Sequence, residues 1–484
     1  MATEKLSTNS YRHVLKYTGI FGGVQVFNIL VGLVRNKFVA ILLGPEGMGL
    51  VSLLNTAMNF ISQSTSLGVS FSAIRRISEL YESGDRIALE RYIGIVRLWS
   101  VIAAVLGAMV CVAAGPLLNV LSFSWGDHTL HFILLAPAVA MTALAGSELA
   151  ILKGTQRLRQ IASIQALTSV LSLAVAIPLF ITFNYKAIVP VISLTALVNL
   201  LPPLVVSNRN YPFHLSFSRT LFAEGSPMVR MGLAFTLAAM FTSGSDMLVR
   251  ALLNQVSDLN TVGLYNAAYM ITITYSSMVF SAMESDYFPR LSAINHDNDA
   301  VNSVVNRQME VSLIVISPML ACLMVFLPFF VPLLFSGKFL PVVGMAQVAA
   351  LAMFFKAMSL PMAYVNLAKG NSRVYLLFEA FYAVAFVLLV VSAFSAYGLL
   401  GAGYAIVIAH VAELMVIYAY LRLRHGFRFS SSSLRLSLFQ LPLLLAVYCI
   451  TVTTSGILYW TAGITLTVLA VGYSLRQLQN MRKT

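Results

Sequence analysis

The chain has 484 residues, of which 58% are hydrophobic and only 10% charged, and its mean hydropathy is +0.83. A soluble protein of this length needs far more polar surface to cover its core, so soluble folds are excluded. The net charge of +13 does not point to nucleic acid, because the basic residues sit in short segments between apolar runs, where membrane topology accounts for them.

Those apolar runs are continuous and about 20 residues long, the length needed to cross a bilayer as a helix. The strands of a membrane barrel would instead alternate apolar and polar. In chain order, fourteen spans are predicted at 17–43, 47–72, 95–121, 130–152, 160–183, 187–206, 229–253, 260–284, 312–336, 342–368, 374–396, 399–421, 437–455 and 457–475. Turn chemistry punctuates them, as at Gly44-Pro45-Glu46-Gly47, Asn184-Tyr185-Lys186 and Ser455-Gly456. The polar start, Met1 to Lys16, leads into a first span too long for the core of a cleavable signal peptide. Cys111, Cys322 and Cys449 all fall in apolar runs and are expected to be buried free thiols, not a disulfide set or a metal site.

Charge sets the orientation. Of the 31 Lys and Arg, all but six fall on the side of the termini. Lys186 and Lys338 fall on the other side, and Arg35, Lys37, Arg250 and Lys356 lie inside spans. The positive-inside rule then puts both termini in the cytoplasm.

The halves carry matching punctuation. Gly49-Leu50 recurs as Gly263-Leu264 and Arg76-Ile77-Ser78 as Arg290-Leu291-Ser292, both at an offset of 214. Pro116-Leu117-Leu118 recurs as Pro332-Leu333-Leu334, and Lys153-Gly154 with Arg157 as Lys369-Gly370 with Arg373, at an offset of 216. Six spans is an even number, so the halves enter the membrane from the same side, as a parallel repeat about an axis along the membrane normal. The expected organisation is an all-α integral membrane protein with an N-lobe at 1–208, a C-lobe at 209–425 and an appended two-helix hairpin at 426–484.

Polar groups inside spans are default functional candidates, because each is costly unless paired or wet. Gln25, Asn28, Gly32 and Arg35 share one face of span 1, and Asn55, Asn59, Ser62, Gln63, Ser66 and Ser70 form a stripe on span 2. Span 7 carries Asp246 and Arg250, span 10 carries Lys356, and Glu148, Glu379 and Glu413 lie in spans 4, 11 and 12. One reading is a hydrated cavity with a basic floor for an anionic head group, with Asp246 or Glu148 taking up a proton. The other is interhelical hydrogen bonding by the amides, mutual neutralisation of Asp246 and Arg250, and snorkelling of Lys37, which points about 200° away from Arg35 around the helix. His128 and His131 are placed in an external loop, and the segment from Arg75 to Arg97 reads as an ordinary solvated cytoplasmic loop. The chain contains no GxxxxGK[ST], HExxH, GxSxG or Cys/His cluster, so neither an enzyme nor a cofactor is expected.

The stretch Leu42-Leu43-Gly44-Pro45-Glu46-Gly47-Met48-Gly49-Leu50 resembles the LGPxGxG turn of Wzx-type flippases, the polysaccharide transporter branch of the MOP superfamily. Leu152-Lys153-Gly154 resembles their LxKG element, and Leu333 to Phe339 resembles their LLFSxKF segment. Val34-Arg35-Asn36, with Ala40 and Gly44, also resembles the first span of lipid II flippases, although Asn36 stands where those carry Asp. The resemblance implies a V-shaped, MATE-like two-lobe fold in a bacterial inner membrane. It implies flipping of an undecaprenyl-diphosphate-linked glycan by alternating access, driven by an H+ or Na+ gradient. A polysaccharide polymerase complex and membrane lipids are the other partners it implies. Arg35, carried over as a cavity residue, heads the expected substrate site with Gln25, Asn28, Lys37, Asn59, Arg250 and Lys356; Asp246 and Glu148 are the expected ion-coupling carboxylates. Lipid II flipping, export of cationic drugs and a non-transporting scaffold role are the rival readings.

Overall fold

A computed structural model describes residues 23, 24, 26–123, 126–213 and 219–483, with side chains at all of these but 219, 234, 275, 278, 281–286, 482 and 483. Gln25, and the part of the first span before residue 23, lie outside the described residues. Among the described residues every regular element is helical. Eight helices among the described residues are long and apolar enough to cross a membrane, nine if one bent pair counts as a single span. Large apolar side chains face outward as well as inward, Leu438 being 73% and Val468 63% exposed, as a lipid-facing surface requires. The protein is a multi-pass membrane protein.

The chain folds into two compact units, Met1–Gln255 and Val256–Thr484. The first begins with α1 (26–42) and α2 (Gly44–Thr65). Gly44 sits at φ +66, which suits glycine, and Pro45 follows in the first turn of α2, where its missing N–H costs nothing. A Cβ on Gly47 would lie 2.4 Å from Leu43 Cβ, so the LGPEG turn needs both glycines. Span 2, expected as one helix over 47–72, is broken. Leu67 and Gly68 take positive φ, and the chain restarts as α3 (Val69–Ser83).

The unit continues through α4 (Arg86–Ser122), α5 (Thr129–Leu134), α6 (Ala136–Gly154), α7 (Leu158–Phe183), α8 (Ile188–Asn210) and α9 (Arg219–Val256). Tyr185, in the turn between α7 and α8, donates to the Leu43 carbonyl at 2.8 Å, so that turn meets the α1–α2 turn at one end of the unit. At the other end Gly154 packs against α3. A Cβ there would lie 2.5 Å from Ile77 Cγ2, and Ser78 donates to the Gly154 carbonyl at 3.1 Å. α9 packs within this first unit through Trp99–Phe222 and Phe71–Phe235, with ring centroids 4.4 and 3.9 Å apart. The compact units therefore divide one helix later than the sequence boundary at 208/209. The two segments of α9, Thr220–Leu233 and Phe235–Val256, meet at 47°.

In the second unit α10 (Leu259–Tyr269) runs through a π-helical turn, Met270–Thr274, into α11 (Tyr275–Ala293). Then come α12 (Asn298–Leu334), α13 (Val343–Ala368), α14 (Ser372–His425), α15 (Ser431–Thr453) and α16 (Gly456–Lys483). Between α12 and α13, Phe335 and Phe339 stack at 5.3 Å and are fully buried, which accounts for the aromatic ends of the LLFSGKF segment. The 54 residues of α14 would make a straight rod of about 81 Å. It doubles back at Gly398, where φ is 60° and ψ −147°. Tyr382 and His410 consequently stack with centroids 5.0 Å apart, whereas 28 helical residues would separate them by about 42 Å. The last hairpin docks on α12. Ser317 donates to Gln440 at 2.9 Å, Gln440 to Ser474 at 3.4 Å, and Tyr459 to the Val325 carbonyl at 2.8 Å.

Left-handed turn residues recur between the units at an offset of 214, which pairs Gly370 with Gln156 and not with Gly154, its partner at the sequence offset of 216. Gln156 (φ 54°) corresponds to Gly370 (φ 77°), and Asn184 (φ 52°) to Gly398 (φ 60°), each pair 214 residues apart. At Asn184, ψ is −128°, a conformation that costs a residue with a Cβ about 1–3 kcal/mol. Asn184→Gly is therefore expected to raise the thermal unfolding midpoint in detergent, with a gain of about 1 kcal/mol. An unchanged or lower midpoint would refute strain at this turn.

The cysteines are free, but only Cys111 is buried; Cys322 is half-buried and Cys449 is exposed. Apolar composition marks a span and does not say which face of it meets lipid. Arg97 is the larger correction. It belongs to no solvated loop: α4 already starts at Arg86, and Arg97 lies three turns into it, 2% exposed.

Candidate functional site

In the first unit α2 and α9 form an open cavity of about 480 Å³ lined by Thr56, Asn59, Gln63, Ala239, Thr242, Ser243 and Asp246. Thr56, Asn59 and Gln63 are spaced 3 and 4 along α2, which puts them on one helical face. Ala239, Thr242, Ser243 and Asp246 do the same on α9. The hydroxyls of Thr56, Thr242 and Ser243 donate back to carbonyls four residues earlier, at 3.0, 3.3 and 2.6 Å. Their oxygens keep acceptor capacity for a guest, and the amides of Asn59 and Gln63 supply both donors and acceptors.

One carboxylate reaches this wall. Asp246 Oδ1 lies 3.2 Å from Arg250 Nη1, and Arg250 also donates from Nε to Ser52 Oγ at 2.8 Å and from Nη1 to the Asp246 carbonyl at 2.9 Å. Arg250 is 3% exposed, so it sits behind the wall, neutralising and orienting Asp246. The span 7 pair is formed, and the charge the cavity meets is a compensated carboxylate.

The other sequence candidates lie elsewhere. Among the described residues, the cavity wall includes neither Arg35, Asn28, Lys37 nor Arg250. Asn28 accepts from Ser169 Oγ at 2.7 Å, a bond between α1 and α7. Arg35 is exposed on α1, Lys37 half-buried. Glu148 is held by Arg97, whose Nε and Nη2 donate to the two carboxylate oxygens at 2.9 and 3.1 Å. Lys356, in the second unit, contacts Glu413 at 3.3 Å. Sequence reasoning missed Arg97, Thr56, Thr242 and Ser243. The threonines and serine were visible only as neighbours, in helical register, of Asn59 and Asp246.

The comparisons with known proteins bear on what these elements serve. A family profile described as polysaccharide biosynthesis protein matches residues 38–344. The chain belongs to that family. No match was found among curated proteins. Among solved structures, the lipid II flippase MurJ in an inward closed conformation is similar with a TM-score of 0.72 at 13% identity, over 96% of this chain and 99% of that one. An inward-facing multidrug resistance MATE family transporter of the MOP superfamily is similar at 0.70 and 16% identity, over 82% of this chain and 94% of that one. A MOP superfamily transporter from Pyrococcus furiosus, described by a binding pocket of reverse polarity, is similar at 0.60 and 16% identity, over 85% and 95%. The polysaccharide biosynthesis family member thus has the MOP superfamily fold.

Proposed function

We propose that the protein is a flippase that carries an undecaprenyl-diphosphate-linked oligosaccharide from the cytoplasmic to the outer leaflet of a bacterial inner membrane. The observation that carries this reading is the cavity of α2 and α9 in a member of a polysaccharide biosynthesis family. A glycan presents a dense set of hydroxyls, each a donor and an acceptor. Amides and hydroxyls match them, whereas a hydrocarbon guest would strip those groups of water without replacing the bonds. The volume lies within the ~300–1,000 Å³ typical of ligand sites.

Two lobes of six spans, 1–208 and 209–425, with the hairpin 426–484 docked on the second, are part of the proposal, as are fourteen spans in all. The recurring turns at an offset of 214 support it. The end of the first unit that carries Arg75, Arg76, Arg86, Lys153 and Arg157 is assigned to the cytoplasm, and the end with Lys186 to the outside, which puts both termini inside. Alternating access driven by an H+ or Na+ gradient completes the reading. Arg35, Lys37 and Lys356 are proposed to serve the diphosphate, and a polymerase complex to receive the product.

Asp246 supports a second reading, export of an organic cation. Its pairing with Arg250 removes the net charge that such a guest would need.

The test is a flipping assay in liposomes with a fluorescent lipid-linked oligosaccharide. Asn59→Leu with Gln63→Leu is expected to slow flipping about 5- to 150-fold, since two lost hydrogen bonds are worth about 1–3 kcal/mol. A double variant that folds and flips at the normal rate would remove the cavity from the mechanism, and export of cationic dyes would install the second reading.

A further inference from the structure

The second unit holds a buried polar cluster that the cavity does not use. Lys356 stands at the middle of the 26-residue α13, near the depth of the bilayer centre when the helix spans it. Its Nζ contacts Glu413 Oε1 at 3.3 Å. Glu413 Oε2 lies 3.0 Å from His410 Nδ1 and 3.5 Å from Ser359 Oγ. His410 Nε2 lies 3.2 Å from the Tyr382 hydroxyl, and Lys356 Nζ stands 5.5 Å from the centre of the Tyr382 ring. Four titratable side chains are thus strung in one line across α13 and both arms of α14. His410 and Glu413 are 2% and 6% exposed, while the Lys356 side chain keeps 24% of its surface open.

We propose that this cluster is a proton-binding site, in which a proton taken up by His410 displaces Lys356 from the Glu413 carboxylate. The hydrogen-bond partners fix the starting state. A carboxylate can only accept, so neutral His410 donates from Nδ1, and its bare Nε2 accepts from the Tyr382 hydroxyl. With Lys356 charged and Glu413 ionised, the net charge is zero. The incoming proton binds Nε2, and the Tyr382 hydroxyl turns to become the acceptor. Glu413 then faces two cations, and a net positive charge at this depth is costly. The cation held at the longer distance and already partly open is Lys356, so it is the one that leaves, toward water. Loss of the proton from Nε2 to water restores the pair.

The other polar groups near the cluster come from three elements. α13 contributes Lys356 and Ser359. The first arm of α14 contributes Tyr382, with Glu379 one turn before it. α10 contributes Tyr269, whose ring meets Phe386 one turn after Tyr382. Two carboxylates of the first unit, Glu148 and Asp246, differ from Glu413, because each is paired with an arginine, which keeps its proton throughout. The cluster in the second unit instead joins a carboxylate to an imidazole, the side chain that exchanges protons near neutral pH. A lysine released when the proton binds would be available to an anionic group such as a diphosphate. That last link rests on the flippase reading; the proton binding does not.

The test has two arms that fail separately. In protein labelled with ¹⁵N-histidine and reconstituted in nanodiscs, the His410 ring signal is identified by its loss in His410→Gln and by its shift in Tyr382→Phe, which leaves the imidazole in place should the first variant not fold. That signal is expected to change from the neutral to the doubly protonated form as the pH is lowered from neutral through the acid range. A ring that stays neutral over the whole range overturns the proposal. In proteoliposomes, an imposed pH gradient is expected to accelerate flipping by the wild type and to leave His410→Gln at its rate without a gradient. Equal acceleration of both would also overturn it. A His410 that titrates in a protein that moves no lipid-linked sugar under any gradient would uphold the site and remove the flippase reading.

Discussion

Arg97→Met is expected to destabilise the protein by about 3–5 kcal/mol, seen as a lower unfolding midpoint and loss of monodisperse protein in detergent. Arg97 is 2% exposed and spends its whole guanidinium on α6, α8 and the residues just after α8. Besides the two bonds to Glu148, Nη2 donates to Ser207 Oγ at 3.1 Å, and Nη1 to the carbonyls of Tyr211 and Pro212 at 2.9 and 3.0 Å. The variant strands an ionised Glu148, 3% exposed, with no counter-charge, and leaves the carbonyls after α8 unpaired. Adding Glu148→Leu should recover part of the loss, because an apolar pair carries no desolvation penalty. If the double variant is as unstable as the sum of the two single ones, the energy lies in the carbonyl bonds and not in the ion pair.

Gly68→Ala is expected to be nearly as damaging, and Gly232→Val somewhat less. A Cβ on Gly68 would fall 2.2 Å from the Gly232 carbonyl oxygen, and one on Gly232 would fall 2.6 Å from the Leu67 carbonyl oxygen. Both obstacles are backbone, which cannot swing aside. Overpacking of this kind costs about 1–3 kcal/mol, and at Gly68 (φ +62) the left-handed backbone adds roughly 1–2 more for a residue with a Cβ. Gly32→Ala is the control. Nothing lies within 4 Å of its Cβ position, and replacing a helical glycine there should be neutral or slightly stabilising. A Gly68 or Gly232 variant as stable as Gly32→Ala would show that the break in span 2 and the bend in α9 do not need this close approach.

Helices apolar enough to cross a membrane, and several of the turns between them, were legible because both are written locally. Twenty apolar residues and a Gly-Pro or Asn-Tyr-Lys break need no knowledge of partners. The structure adds the reasons: Gly44 and Gly47 for the first turn, Gly154 for the seat of α3, Phe335 and Phe339 for the aromatic segment. The site was legible in half. Asn59 and Asp246 stood out as polar residues in apolar runs, yet the cavity they share depends on which faces of α2 and α9 meet, and no helical pattern gives that. Arg97 was hidden for a related reason. It ends a run of mixed charges that reads as loop, and its partner is 51 residues away. His410 and Glu413 carried a usable signal, two titratable residues three apart on one face of an apolar helix, but their meaning depended on Lys356 from another helix and Tyr382 from beyond the Gly398 turn.

The hairpin of α15 and α16 has a consequence for how the protein is made. Synthesis delivers α12 to the membrane well before the helices that satisfy it. Until they arrive, Glu310, whose Oε1 accepts from Ser430 and Ser433 at 2.7 and 3.0 Å, and Ser317, which donates to Gln440, have none of these partners. The nascent second unit therefore stays chemically unfinished until α15 and α16 have been made, and its assembly waits on the step at which those two helices leave the insertion machinery and close over α12.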